Sequence, residues 1–162
     1  MAAENLPSQG PRYAALIGLL RTAEALWAAS RVFFDRWQLS PSQFNLLNLL
    51  REQPAGCSQS ELSRQLITHR SNITGLVDRL ENRGLVRRDQ HAHDRRAFVV
   101  VLTPVGRALL AEILPLYHAA AEVVWSEFPA ERAAQLVADL ECVSANAARV
   151  AAAPPGGMTV KG

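Results

Sequence analysis

Polar and cationic side chains are concentrated in one stretch near the middle of this 162-residue sequence. The segment 58–103 carries eight arginines and five acidic residues, a net charge of +3, although the whole chain carries only +2. Because the excess positive charge is confined to this segment, attraction to a nucleic acid is predicted there. Four neighbouring residues in it can exchange hydrogen bonds with base edges or phosphates: Arg70, Ser71, Asn72 and Thr74.

These four residues fall on a predicted helix from Thr68 to Leu85. Its apolar residues recur at i, i+3, i+4 and i+7 and form one stripe for burial: Ile73, Leu76, Val77 and Leu80. The opposite face is small and polar, with Gly75 at its centre and Arg79 on its flank. A glycine in mid-helix is about 1 kcal/mol less favourable than alanine, so Gly75 is either a tolerated defect or a point of close backbone approach. Taken alone, the same face also fits an ordinary solvated helix.

A basic hairpin is predicted directly after this helix. Gly84 is placed to end the helix, and extended runs at 85–90 and 96–102 flank a tip at 91–95. Guanidinium groups suit phosphates and a narrow minor groove, and the hairpin carries four of them: Arg87, Arg88, Arg95 and Arg96. A groove-sized helix followed by such a hairpin is a winged helix-turn-helix. The alternative is a soluble edge strand that charge protects from pairing.

Capping residues and helix breakers divide the rest of the chain into further helices. Pro11 opens a long helix with wide apolar coverage, so one flank is expected on the domain and another on a second chain. Ser58 and Glu61 have the spacing of a capping box, and only a short corner separates their helix from the one at Thr68. Other helices are predicted to open at three Xaa-Pro steps: Ser40-Pro41, Thr103-Pro104 and Phe128-Pro129.

The predicted fold class is therefore mainly α (α+β), a winged helix-turn-helix domain with a helical dimerisation arm. The DNA-binding lobe is assigned to residues 39–103, and the dimerisation helices to 11–38 and 104–150. Residues 1–10 and 151–162 are expected to be disordered. The sequence has no apolar run of membrane-spanning length and no signal-peptide pattern, which favours a cytoplasmic protein.

Cysteine and histidine patterns give little support to catalysis, metal binding or a cofactor. Cys57 and Cys142 have neither metal-ligand spacing nor a disulfide framework. His91 and His93 stand on the hairpin tip without a set of acidic partners, so no metal site is predicted. Because nucleophile elbows and phosphate loops are also absent from the sequence, no enzyme is predicted. Redox sensing through either cysteine stays open as an alternative.

The sequence from about Pro11 to Val150 resembles the MarR family of bacterial transcriptional regulators. One motif is Asp94-x-Arg96 followed by Leu102-Thr103-x-x-Gly106, which is similar to the family's wing signature. The second motif is the run 72–81 that leads to Gly84. The resemblance implies a homodimer whose two winged lobes read successive major grooves of a palindromic operator.

The resemblance also implies roles for individual residues. Arg95 and Arg96 would reach the minor groove, and Asp94 would brace the wing by pairing with a nearby arginine. The groove-reading helix would contact the major groove and its phosphates through a polar set: Arg70, Ser71, Asn72, Thr74, Gly75 and Arg79.

Members of this family often bind small aromatic or phenolic acids between the dimer arm and the DNA lobe. Trp27, Arg31 and Phe34 share part of the first helix, and an arginine beside aromatic rings can hold a carboxylate. The alternative for these three is core or dimer packing with a snorkelling arginine. The predicted function is thus a DNA-binding repressor that a small aromatic ligand releases. The other alternative, a winged helix that binds only proteins, would be expected to expose apolar anchors on the reading face.

Overall fold

The computed structural model describes residues 10–66, 73–91 and 94–153, with residues 91 and 94–97 described by their backbone alone. Within these ranges, helices predominate and a small antiparallel sheet accompanies them, which confirms the mainly α class with a winged-helix lobe. The elements in chain order are α1 (Pro11–Asp35), α2 (Pro41–Arg51), β1 (Cys57–Ser58), α3 (Gln59–Gln65), α4 (Ile73–Asn82), β2 (Val86–His91), β3 (Asp94–Leu102), α5 (Pro104–Val124) and α6 (Ala130–Ala152). The chain forms two compact units that divide within α5, between Glu112 and Ile113.

Two of the predicted helix starts are closed by capping boxes. The hydroxyl of Ser40 accepts from the backbone N–H of Gln43, whose side chain accepts in return from the backbone N–H of Ser40 at 2.8 Å. Ser58 and Glu61 make the same reciprocal pair at the start of α3. Each box satisfies backbone donors that the first helical turn leaves without partners, so the sequence places α2 and α3 accurately.

The sheet has the order β1-β3-β2, and both pairings are antiparallel. Cys57 pairs with Val100, as expected for a short strand beside the hairpin. The turn before β1 depends on Gly56, whose φ of +85° favours glycine. A Cβ atom on Gly56 would also lie 2.8 Å from the carbonyl oxygen of Val100, so the turn sits closely against the sheet.

The core of the first unit lies between the helices and the sheet. Apolar side chains from α1 to α5 are almost completely excluded from solvent there: Phe34, Phe44, Leu46, Leu47, Leu50, Leu62, Leu76, Val77, Leu80, Val86 and Leu110. The rings of Phe34 and Phe44 stack with their centroids 4.3 Å apart. Because α4 contributes its whole apolar stripe to this core, its polar face must point outward.

Three boundaries differ from the sequence prediction, each for a local reason. The groove-reading helix ends at Asn82 and not at Leu85, because Gly84 (φ +68°) and Leu85 form a Schellman motif with the carbonyls of Glu81 and Leu80. The predicted hairpin tip 91–95 is wrong in extent, since pairing reaches His91 and Asp94 with an irregularity after Gln90. Backbone groups there pair across the strands instead of remaining open.

The third difference concerns the end of the chain. The predicted disordered tail 151–162 begins too early, because α6 continues to Ala152 through two alanines with strong helix propensity. Ala153 then has φ −73° and ψ 140°, the extended geometry that a residue before proline favours. Residues 1–9 and 154–162 lie outside the described part of the chain.

Within the second unit, α6 has no buried residue. Large apolar side chains are exposed along it: Val137, Val143 and Val150. None of the described helices is both long enough and apolar enough to cross a membrane.

Candidate nucleic-acid interface

The outward face of α4 carries the described part of the predicted reading surface. Thr74 and Arg79 are exposed and Gly75 is half-buried, whereas the predicted apolar stripe is buried. The orientation of the helix therefore agrees with the sequence prediction. Arg70, Ser71 and Asn72, also predicted to contact DNA, lie outside the described residues.

A groove next to this face was missed by the sequence reasoning. It encloses about 440 Å³ between α3 and α4 and is lined by Gln59, Ser60, Ser63, Arg64, Ile73 and Thr74. The hydroxyl of Thr74 donates to Oε1 of Gln59 at 3.4 Å, which joins the two helices at its rim. The available signal was the composition of α3, in which Leu62 is buried and the other residues are polar. Hydroxyls, an amide and a guanidinium in one groove are groups that bind phosphates.

Two of the four hairpin arginines are paired with carboxylates inside the lobe. Arg87 makes a bidentate contact with Asp89, Nε to Oδ1 at 2.7 Å and Nη2 to Oδ2 at 2.8 Å. This fork raises the pKa of Arg87, and the same hydrogen bond lowers the pKa of the Asp89 carboxyl. Both side chains are solvent-exposed, so screening keeps the pair weak.

Arg88 lies on the opposite face of β2 and turns back to α4. Its guanidinium donates to the carboxylates of Asp78 and Glu81, and its backbone N–H donates to Oε1 of Glu81 at 3.0 Å. The hydrogen bond to Asp78 is the main cause that raises the pKa of Arg88. The sequence reasoning counted Arg88 among the basic groups of the hairpin and missed this pairing, although Asp78 and Glu81 have the i, i+3 spacing of one helix face.

The remaining hairpin predictions concern Arg95, Arg96 and Asp94. The backbone of all three belongs to β3. Their side chains are outside the described part of the structure, so the minor-groove contacts and the bracing role of Asp94 stay predictions.

Thr103 joins three elements at the base of the hairpin. Its hydroxyl donates to the carbonyl of Gly84 at 2.6 Å and accepts from the backbone N–H of Gly106 at 3.0 Å, and its own backbone N–H donates to Leu85 at 3.1 Å. A Cβ atom on Gly106 would overlap the carbonyl oxygen of Leu85 and lie 2.8 Å from a methyl of Leu102. The Leu-Thr-x-x-Gly motif thus fixes where α5 starts relative to the end of α4.

The corner between α1 and α2 contacts the same C-terminal end of α4 from another side. The guanidinium of Arg83, just after α4, donates to the carbonyls of Gln38 at 2.7 Å and Trp37 at 2.9 Å. The Trp37 indole N–H donates to Oε1 of Glu112 in α5 at 2.7 Å. Because Gln38 has a φ of +53°, the chain turns sharply enough to present both carbonyls to Arg83.

The three candidate ligand-binding residues on α1 have different surroundings. Phe34 is 1% exposed and stacks on Phe44 in the core. Trp27 is half-buried, and Arg31 is exposed with Glu24 at 3.5 Å. An ion pair between two such exposed side chains is weak, so the guanidinium of Arg31 can exchange Glu24 for another carboxylate.

The two cysteines also have different surroundings. Cys57 is 2% exposed, and burial, followed by the charge of Glu61, raises the pKa of its thiol. A buried neutral thiol is a poor nucleophile, which argues against redox sensing at Cys57. Cys142 is exposed on α6. Among the described residues, no group of three or more histidine, cysteine, aspartate or glutamate side chains is arranged to hold a metal ion.

The α3–α4 pair with its outward polar face, followed by an antiparallel hairpin, defines a winged helix-turn-helix DNA-binding lobe. Comparison with known proteins agrees. The MarR family model matches residues 39–98. The chain is 32% identical over 108 residues to the HTH-type transcriptional regulator FarR of Neisseria gonorrhoeae. The aligned residues are 67% of this chain and 73% of FarR. It is 30% identical over 125 residues to the homoprotocatechuate degradative operon repressor of Escherichia coli, covering 77% and 84%.

Solved structures give the same fold. Bordetella bronchiseptica BpsR, whose DNA binding is regulated by 6-hydroxynicotinic acid, matches with a TM-score of 0.73 over 88% of this chain and 98% of its own, at 24% identity. The chain belongs to the MarR family and is a DNA-binding transcriptional regulator.

Proposed function

We propose that the protein is a homodimeric repressor that binds a palindromic operator and leaves it when a small aromatic acid binds. The observation that carries the proposal is the outward polar face of α4, with the α3 groove and the hairpin beside it. A helix of this kind fits the major groove, and a dimer places two of them about 34–36 Å apart on successive turns of DNA. A regulator of chromosomal DNA acts where that DNA is, so the proposed compartment is the cytoplasm.

Support for the homodimer comes from apolar side chains that the single chain leaves in solvent. Exposed positions occur along α1, α5 and α6: Tyr13, Leu16, Leu20, Val32, Leu116, Val123, Val137, Val143 and Val150. Large apolar side chains exposed in this number are typical of interfaces. The proposed partner is a second copy, because a two-fold dimer matches the two-fold symmetry of a palindromic site.

Support for the effector comes from α1 and from the similar proteins. One of them represses a homoprotocatechuate degradative operon, and 6-hydroxynicotinic acid regulates DNA binding by another; both compounds are small aromatic acids. Arg31 and Trp27 are the two members of the predicted ligand site that lie at the surface. The proposed contact is an effector carboxylate on Arg31, with its ring against Trp27.

Binding to the DNA upstream of the protein's own coding sequence tests the repressor proposal. The expected result is tight binding that survives unrelated competitor DNA, at two chains per site, and that weakens with added salt as phosphate-bound counterions return. Binding no better than the competitor, at roughly 10⁻⁴–10⁻⁶ M, would contradict the proposal for that operator.

Two substitutions test the proposed division between helix and hairpin. Asn72→Ala should relax discrimination between operator variants, because an amide reads base edges. Arg96→Ala should weaken binding to all sequences alike and lower the salt slope by about one. Unchanged binding in both variants would show that the reading surface lies elsewhere.

The effector proposal is tested with benzoate, and with benzyl alcohol as an uncharged probe of similar size. Benzoate should release the wild-type protein from the operator at a lower concentration than benzyl alcohol. Arg31→Ala should keep operator binding and lose this difference, since only the carboxylate contact is removed. Equal release by both probes would contradict a role for Arg31.

A further inference from the structure

We propose that Arg88 is a positioning residue that sets the angle of the hairpin against α4, so that both reach DNA together. The proposal rests on the DNA-binding function proposed above and deepens it. It differs from the role that the arginine-rich hairpin indicates, in which every guanidinium would contact phosphate.

Arg88 attaches β2 to α4 through both its backbone and its side chain. One carboxylate oxygen of Glu81 in α4 accepts from the backbone N–H of Arg88 at 3.0 Å, and the other accepts from the guanidinium of Arg88. Asp78, one turn earlier on the same helix, takes the other end of the guanidinium fork. Both the strand and its side chain are therefore attached to one face of α4. A lysine carries its three donors on one nitrogen, so it would not reproduce two contacts that are made from separate nitrogens of a planar guanidinium.

Charge argues against Arg88 as a phosphate ligand. One guanidinium faces two carboxylates, so the cluster carries a net negative charge beside a surface that must meet phosphates. The Arg88 side chain is only 26% exposed, whereas that of Asp78 is 51% exposed. A guanidinium that points inward to such a cluster is poorly placed to contact DNA. It does, however, partly neutralise carboxylates that would otherwise repel the DNA.

Because Arg88 lies near the base of the hairpin, a small change of angle there moves the far end of the hairpin by a larger distance. His91, the last residue of β2, lies three positions after Arg88, a span of about 10 Å at the rise of a strand. A tilt of about 15° at Arg88 would thus move the hairpin tip by roughly 2.5 Å, close to the length of a hydrogen bond. Without the attachment, α4 could occupy its groove while the hairpin missed the next one.

The test uses dimethyl sulfate on the operator, because this reagent methylates guanine N7 in the major groove and adenine N3 in the minor groove. Two variants break the attachment from either side: Arg88→Ala, and the double variant Asp78→Asn with Glu81→Gln. Arg87→Ala is the matched control, since it removes the same charge from the neighbouring residue, whose fork holds Asp89 on the other face of the strand. Tm is measured for each.

Both attachment variants should keep protection of guanine N7, lose protection of adenine N3, and bind the operator about tenfold more weakly. The double variant is decisive because it removes two negative charges, which by charge alone would tighten binding to DNA. The Arg87→Ala control should keep both protections. If Arg88→Ala does not fold, the double variant still gives the answer.

Tighter binding by the double variant, with adenine N3 still protected, would overturn the proposal, because Arg88 would then be a phosphate ligand that the carboxylates restrain. Loss of both protections together with a lower Tm would also overturn it, since the cluster would then only stabilise the lobe. A wild-type protein that protects neither groove would instead refute the proposed operator binding itself.

Discussion

The winged lobe (residues 39–103) and the last helix treat their apolar side chains in opposite ways. In the lobe, Leu46, Leu47 and Leu62 have no exposed surface at all. On α6 no residue is buried, and Val137 and Val143 are 58% and 47% exposed. The lobe therefore completes its own core, whereas α6 presents apolar surface that one chain leaves uncovered.

The lobe is thus stabilised by burial within one chain, whereas the apolar residues of α6 can be buried only by contact with another molecule. Burial of a leucine side chain contributes about 1.5–3 kcal/mol, and the lobe gains this within one chain. The valines of α6 gain it only when another molecule covers them. We expect changes in α6 to act on assembly, and changes in the lobe to act on folding stability.

The largest effect is expected from breaking the apolar stripe of α6 with Val143→Asp and Val150→Asp. These residues lie seven positions apart on one helix face, so two carboxylates would have to be buried in the proposed dimer. Loss of the dimer should weaken operator binding on the order of 100-fold or more, because the second lobe no longer adds to the first. Sedimentation and DNA titration measure the two effects.

The control for this variant is Val105→Asp. Val105 is 61% exposed in the first turn of α5, where a carboxylate is favoured by the helix dipole. The control should remain dimeric and bind the operator normally. A dimer that survives both changes in α6 would show that these valines do not form its interface.

Sequence alone predicted the parts of this molecule that local chemistry decides. The N-cap Ser40 directly precedes α2, the capping box of α3 spans four residues, and the apolar stripe of α4 spans eight, so all three could be predicted from local sequence. The dimerisation helices and the reading residues 70–72 stay predictions.

Side-chain pairs between distant elements could not be read in this way. Arg83 reaches the carbonyl of Trp37 across 46 positions, and Thr103 reaches that of Gly84 across 19. No periodicity marks such a partner, because it depends on how the elements pack. For the same reason the sequence placed Arg88 among the groups available to phosphate, although it is paired with Asp78 and Glu81.

A smaller effect, on folding stability, is expected from Gly106→Ala at the base of the hairpin. The new methyl would overlap the carbonyl oxygen of Leu85, so backbone must shift, at a cost of about 2–3 kcal/mol in the free energy of unfolding. Urea denaturation measures it. Gly18→Ala is the matched control, because Gly18 lies within α1 with no atom near its Cβ position. The control should be more stable by roughly 0.5–1 kcal/mol, and equal effects at both sites would contradict the crowding argument.

Thr103→Val should destabilise the lobe by about 1–2 kcal/mol. The change keeps the shape of the side chain but removes the hydroxyl that accepts from Gly106 and donates to Gly84. Thr103→Ser retains that hydroxyl and should lose much less stability. A serine variant as unstable as the valine variant would show that the methyl group, and not the hydrogen bonds, is what matters.

The smallest effect is expected from Asp89→Asn, which should lower the stability of the lobe by an amount that depends on pH. Arg87 lowers the pKa of Asp89 in the folded protein below its usual value of 3.8. The ionised carboxylate therefore stabilises the fold above the unfolded pKa, and this contribution is lost as the pH falls through the folded pKa. The difference in Tm between wild type and variant should be largest near neutral pH and should shrink below about pH 4.

In an Arg87→Ala background the pH-dependent difference should be much smaller, because the guanidinium that lowers the pKa is absent. A difference that is the same at every pH, or that persists without Arg87, would mean that the pair contributes nothing to the lobe.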